Sequence, residues 1–185
     1  MSSNTGHETN ERGARLVFTV RASDGAARPQ RNWSLPEGGW EALLRIAASE
    51  ILECMLGVQV GDLPESVSRN SIEMTAMVGL AGELSGVLSL RCPTSAAATL
   101  ASKMLSTDIA PTDADTRDAL GEVCNVIAGN LKAKVPDLDD ACLLSTPTIV
   151  CGRDYHLFSI RDSTSFDVAL QFETQPLWIT LDLHC

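Results

Sequence analysis

GEVCNVIAGN, residues 121–130, decides how this chain folds, read within the longer run DTRDALGEVCNVIAGNLKAKV, 115–135. At about 100° per residue, a helix here puts Leu120, Val123, Cys124, Ile127 and Leu131 on one side. Asp118, Glu122, Asn125 and Gly129 fall on the other. The spacing predicts a helix over 115–135 that Pro136 ends, with an apolar face packed on a sheet. Glu122 and Asn125 are three apart, so they are neighbours on the outer face. A carboxylate and a carboxamide project there together, beside a glycine that leaves a notch. A plainly solvated helix would favour Lys, Glu, Gln or Ala at such positions.

Working outward, residues 40–57 carry Leu43, Leu44, Ala47, Ile51, Leu52 and Met55 at helical spacing, with Gly57 as the stop. Strands are expected over 71–78 and 85–91 around a turn at 79–83, with a loop containing Pro64 before them. Pro93 and Thr94 open a helix over 95–105. After the long helix the chain reads as strands: 142–150, with Pro147 marking an edge or a bulge, then 155–160, 165–172 and 177–183. Towards the N-terminus, residues 1–14 are polar, 16–20 (LVFTV) suit a short strand, and the rest to 39 is turn-rich, with Trp33 and Trp40 placed to pin it. The expected organisation is an N-terminal extension or arm, 1–39, partly disordered, and one domain, 40–185. The order helix–strands–helix–helix–strands points to an α/β (α+β) fold, in which duplicated helix–strand units share one mostly antiparallel sheet with helices packed on it. In the first unit the corresponding pair is Glu50 and Glu53, without an asparagine.

With 185 residues, 44% hydrophobic and 21% charged, the chain has the composition of a globular domain with a substantial core. Its formal net charge of −10 argues against nucleic acid, whose binding needs a basic surface, and against an anionic membrane surface. No apolar run suits a membrane span, and the N-terminus lacks the apolar core of a secretion signal, so the cytoplasm is the expected compartment. Six cysteines, none spaced as Cys-x-x-Cys, are expected as reduced thiols, mostly within apolar runs. Cys185 is the exception, a terminal thiol open to oxidation.

The chain lacks a cysteine with an arginine six residues on, a phosphate-binding Gly-x4-Gly-Lys-Ser/Thr, a Gly-x-Gly-x-x-Gly, a His-Glu-x-x-His and a Gly-x-Ser-x-Gly. His7, His156 and His184 are dispersed, which disfavours a histidine metal site. Hydrolysis does not require a nucleophile from the catalyst, however. A carboxamide donates and accepts hydrogen bonds, so it can orient a water for in-line attack without titrating. A nearby glutamate can dock on a partner's lysine. Glu122 and Asn125 have these types and this placement, and Gly129 would admit a partner's backbone. Read alone, Glu-x-x-Asn is first of all an ordinary solvated helix face, since most surface polar pairs are inert. Cys124 reads as core, Gly152-Arg153-Asp154 as a tight turn, and Asp113, Asp115 and Asp118 as helix-start residues favoured by the dipole rather than metal ligands.

Four blocks in order resemble the CheC–CheX–FliY family of chemotaxis phosphatases: VGLAGELSGVLSL (78–90), SAAATLASKML (95–105), GEVCNVIAGNLKAKV (121–135) and STPTIVCGRD (145–154). The likeness is greatest to the CheX form and covers roughly residues 40–183. It implies hydrolysis of the phospho-aspartate of a CheY-type response regulator. Asn125 would orient the water, Glu122 would pair with the regulator's lysine, and Mg2+ would reside on the regulator, with no cofactor bound by this chain. It also implies a single site per chain and a homodimer. The alternative from another class is a non-catalytic binding module or adaptor for a response regulator or a flagellar-switch assembly.

Overall fold

The computed structural model describes residues 33–153, 155, 157 and 162–184. In chain order these form α1 (Gly39–Leu56), β1 (Val60–Asp62), a 3-10 turn (Arg69–Ser71), β2 (Met74–Gly82), β3 (Gly86–Cys92), α2 (Thr94–Leu105), α3 (Ala114–Ala133), β4 (Cys142–Leu144), β5 (Thr148–Cys151), β6 (Ser163–Phe172) and β7 (Gln175–His184). The strands make one sheet in the order β1-β6-β7-β3-β2-β4, with β5 also paired to β2. Each of these pairings is antiparallel.

Alternate residues of the central strands supply the core. Ala76, Val78, Leu88, Leu90, Val168, Leu170, Ile179 and Leu181 point into the core beneath the helices. The register brings Leu88 opposite Leu181 and Leu90 opposite Ile179, so the two hairpins β2–β3 and β6–β7 meet at the centre. The intervening positions mix polar and apolar residues, and Thr75, Ser89, Trp178 and Thr180 among them are buried as well; Ser89 faces Thr180, and Thr75 Oγ1 shares a hydrogen bond of 2.5 Å with the Tyr155 hydroxyl. Burial pushes the Tyr155 phenol up, against the opposing effect of that bond.

Two helix-then-hairpin units are thus present, α1 with β2–β3 and α3 with β6–β7. Their helices pack crosswise. The helix of the first unit lies against β6 of the second, and α3 lies against β2 and β3 of the first. The apolar stripe of α3 explains its place: Leu120, Val123, Ile127 and Leu131 are all 0% exposed. Each such side chain contributes about 1.5–3 kcal/mol by leaving water.

Several elements differ from the sequence expectation. β2 continues through the anticipated turn at 79–83 and ends at Gly82, so the turn is made by 83–85. A Cβ at Gly82, whose φ is +136°, would stand 2.2 Å from the Ala141 carbonyl oxygen, so this glycine serves close approach of β4 and not chain reversal. The single strand expected over 142–150 is two, β4 and β5, separated at Ser145–Pro147 because proline cannot donate to the ladder. β1 occupies the expected loop, paired Val60 to Phe172. Gly57 does end α1, with φ 65° and its N–H on the Glu53 carbonyl. The 16–20 strand lies outside the described residues, as does most of 155–160, where Tyr155 and Leu157 are in neither helix nor strand. Trp33 and Trp40 are partly buried against the core. Cys92, Cys124 and Cys142 are buried, but Cys54 and Cys151 are exposed, because they occupy the outer face of α1 and the end of an edge strand. No helix among the described residues is long and apolar enough to cross a membrane.

Candidate functional site

The split faces of α3 hold in three dimensions. Glu122 is exposed and Asn125 partly exposed, while Val123 and Cys124 between them are fully buried. Among the described residues, neither the Glu122 carboxylate nor the Asn125 carboxamide engages a hydrogen-bond or ion-pair partner. Gly129 leaves open space: a Cβ there would meet nothing within 4 Å. The three predicted residues therefore share one uncovered stretch of helix.

The helix beneath them is held firmly. Near its start the buried Thr116 hydroxyl donates to the Ala110 carbonyl at 2.8 Å. Near its end the Lys132 ammonium donates to the Asp139 and Cys142 carbonyls at 2.7 and 2.9 Å. Asn130 donates through one amide nitrogen to the Ala47 carbonyl and to the Glu50 carboxylate, each at 3.1 Å, and Lys134 pairs with Glu50 at 2.6 Å. These contacts, Lys134 first and Asn130 second, hold Glu50 below the usual carboxylate range.

Cys124 is a core residue, as expected. Its thiol is pushed up to about 12 by burial and is no nucleophile at neutral pH. Asp113 stands at the N-cap but makes no side-chain cap; its carboxylate instead accepts from the Ala110 N–H at 3.0 Å. Gly152 turns the chain with φ 144°, and Arg153 beside it pairs with Glu73. The Asp154 and Cys185 readings fall outside the described residues. Among the described residues no group of three His, Cys, Asp or Glu is placed to hold a metal ion.

Two features of the site escaped the sequence reading. Gly121 is buried, with Pro147 and Ile149 so close that a Cβ would meet them at 3.4 and 3.3 Å. A glycine inside a helix costs about 1 kcal/mol against alanine, which was the available signal that something packs there. Asn130 ends the decisive stretch yet ties α3 to α1, and nothing in its spacing distinguished that contact from solvation.

The chain matches the family described as chemotaxis phosphatase CheX over residues 74–171. No curated protein matches it. Among solved structures it is similar to the chemotaxis protein CheX of Desulfovibrio desulfuricans, with 24% identity, 78% of this chain and 99% of that one covered, and a TM-score of 0.64. It is similar to CheX of Vibrio vulnificus at 13% identity, covering 85% and 100% of the two chains, with a TM-score of 0.68. A third likeness is to the CheX–CheY–BeF3–Mg2+ complex of Borrelia burgdorferi, at 21% identity, 79% and 98% coverage and a TM-score of 0.61. At these identities the likeness is one of fold.

Proposed function

The chain belongs to the chemotaxis phosphatase CheX family, and from that membership we propose that it hydrolyses the phospho-aspartate of a CheY-type response regulator in the cytoplasm. The observation that carries the reading is the unpartnered pair Glu122 and Asn125 on the uncovered face of α3, with the open notch at Gly129 one turn on. The Borrelia complex gives a CheX-fold protein bound to a CheY, and this reading extends that partnership to the present chain.

In this mechanism the helix enters the regulator's active site. Glu122 pairs with a lysine there and fixes the approach. The Asn125 carboxamide accepts from and donates to the attacking water, which aligns it with the phosphorus. A bond forms from the water oxygen to phosphorus as the bond from phosphorus to the aspartyl oxygen breaks. The regulator's carboxylate is released, and the water's protons leave with inorganic phosphate. This chain supplies position and no nucleophile. The Mg2+ that neutralises charge on the phosphoryl group belongs to the regulator. The reading includes a homodimer, on the resemblance alone; a monomer mass in sedimentation would remove that part.

The test is the decay of phosphorylated CheY-type regulators with and without the protein. Shortened phospho-aspartate lifetimes, lost in Asn125→Ala, support the reading. A regulator that binds with its lifetime unchanged would make the chain a binding module instead.

A further inference from the structure

A receiver domain that docks specifically buries on the order of 800 Å² on each partner. One exposed helix face carrying Glu122, Asn125 and Gly129 is about 10 Å wide and cannot supply that area alone. Some flank of α3 must also touch the regulator, and the packing at Gly121 identifies which.

Gly121 and Asn125 are four apart, on one stripe of the helix. Helical side chains lean towards the N-terminus, so the Asn125 carboxamide reaches back over the turn that contains Gly121. There Pro147 stands 3.4 Å from where a Gly121 Cβ would be. The β4–β5 connection thus packs on the helix one turn before Asn125, on the same stripe. Ser145, Thr146 and Pro147 are all exposed. The connection is also braced. Ser145 donates its N–H to the Gly79 carbonyl at 2.9 Å, its hydroxyl accepts from the Gly79 N–H at 2.8 Å, and the same hydroxyl donates to the Thr146 carbonyl at 2.9 Å.

We propose that the β4–β5 connection is a second wall of the docking surface, that Thr146 contacts the response regulator beside Asn125, and that Gly121 positions this wall by admitting Pro147 and Ile149 against the helix. The inference rests on the proposed phosphatase reading and names where the regulator gains the rest of its contact.

The experiment uses the full chain and a CheY-type receiver domain phosphorylated with acetyl phosphate. Thr146→Arg is expected to raise KM about tenfold while kcat stays within about twofold, the signature of lost docking without lost chemistry. Its thermal midpoint is expected to match wild type, since Thr146 is exposed. Gly121→Ala is expected to raise KM about threefold. Ile149→Val in that background removes the δ-methyl that the new Cβ meets at 3.3 Å, and is expected to return KM towards wild type. If wild type accelerates decay, Asn125→Ala does not, and Thr146→Arg keeps the wild-type KM, this inference is overturned and the phosphatase reading stands. If wild type leaves every lifetime unchanged, the phosphatase reading fails and takes the wall with it.

Discussion

Asn130 joins the site helix to the helix of the other unit: one amide nitrogen reaches both the Ala47 carbonyl and the Glu50 carboxylate at 3.1 Å. Glu50 is the first unit's counterpart to Glu122. It is bound up as a strut, with Lys134 as its second partner. The same position in the two units therefore does opposite things, free on α3 and engaged on α1. Asn130→Ala is expected to destabilise the fold by about 1 kcal/mol, the usual net value of a lost hydrogen bond. Denaturant unfolding measures it, and the hydrolytic rate should change far less than in Asn125→Ala.

The central substitution is Asn125→Ala itself. Loss of a positioned hydrogen-bonding group in a water-excluded site costs about a hundredfold or more in rate. Stimulated decay should fall by that order, with circular dichroism and melting temperature unchanged, because the carboxamide has no partner among the described residues. Glu122→Lys should act differently, raising KM through repulsion of the regulator's lysine.

Gly129→Ala separates stability from function. A methyl there meets nothing, and alanine is favoured over glycine inside a helix by about 0.5–1 kcal/mol. The variant should melt higher and bind the regulator more weakly, because the notch is filled. Unchanged affinity in a titration with the receiver domain would show that Gly129 lies outside the contact.

Thiol chemistry should divide the cysteines. Cys54 and Cys151 are exposed and should react with a chromogenic disulfide at neutral pH. Cys92 and Cys124, both pushed up to about 12 by burial, should react only in denaturant. Their raised values also fix a sign. The folded state holds them protonated while an unfolded chain releases protons from about 9 upward, so stability is full below 9 and declines as pH rises towards 12. Cys92→Ala with Cys124→Ala should flatten that decline.

At the acid end the sign reverses. Thr94 first, then Arg153, holds Glu73 below the usual carboxylate range, and Lys134 and Asn130 do the same for Glu50. Their contribution is present above the ordinary value of 4.5 and is lost as pH falls below it through the folded values. The Glu50 side chain is 51% exposed and that of Glu73 24%, so solvent screens Glu50 more, and Glu73→Gln should reduce the slope of stability against pH in that range.

The sequence made some of this legible and hid the rest for physical reasons. The alternation of Leu120, Val123, Ile127 and Leu131 with Glu122 and Asn125 is a local periodic signal, and it located both the core contact of α3 and its outer face. Gly57 was readable because a left-handed cap is a local demand. Gly82 reads as part of a turn because a glycine needed for close strand approach looks identical in sequence to one needed for reversal. The contact between Gly121 and Pro147, and that between Asn130 and Glu50, join residues far apart in the chain, and no spacing rule encodes them. β1 is too short to show alternation at all, and its pairing to β6 supplies what its three residues cannot.

The crosswise placement of the helices has a further consequence. Because α3 rests on strands contributed by the first unit, its rigidity is collective, and neither half of the gene product can be cleaved away without stripping the other's covering. The fold behaves as a clasp. Glu122 and Asn125 stay presented only while both hands remain closed, so a chain break within β2 or β3 would withdraw the support under the pair from a distance.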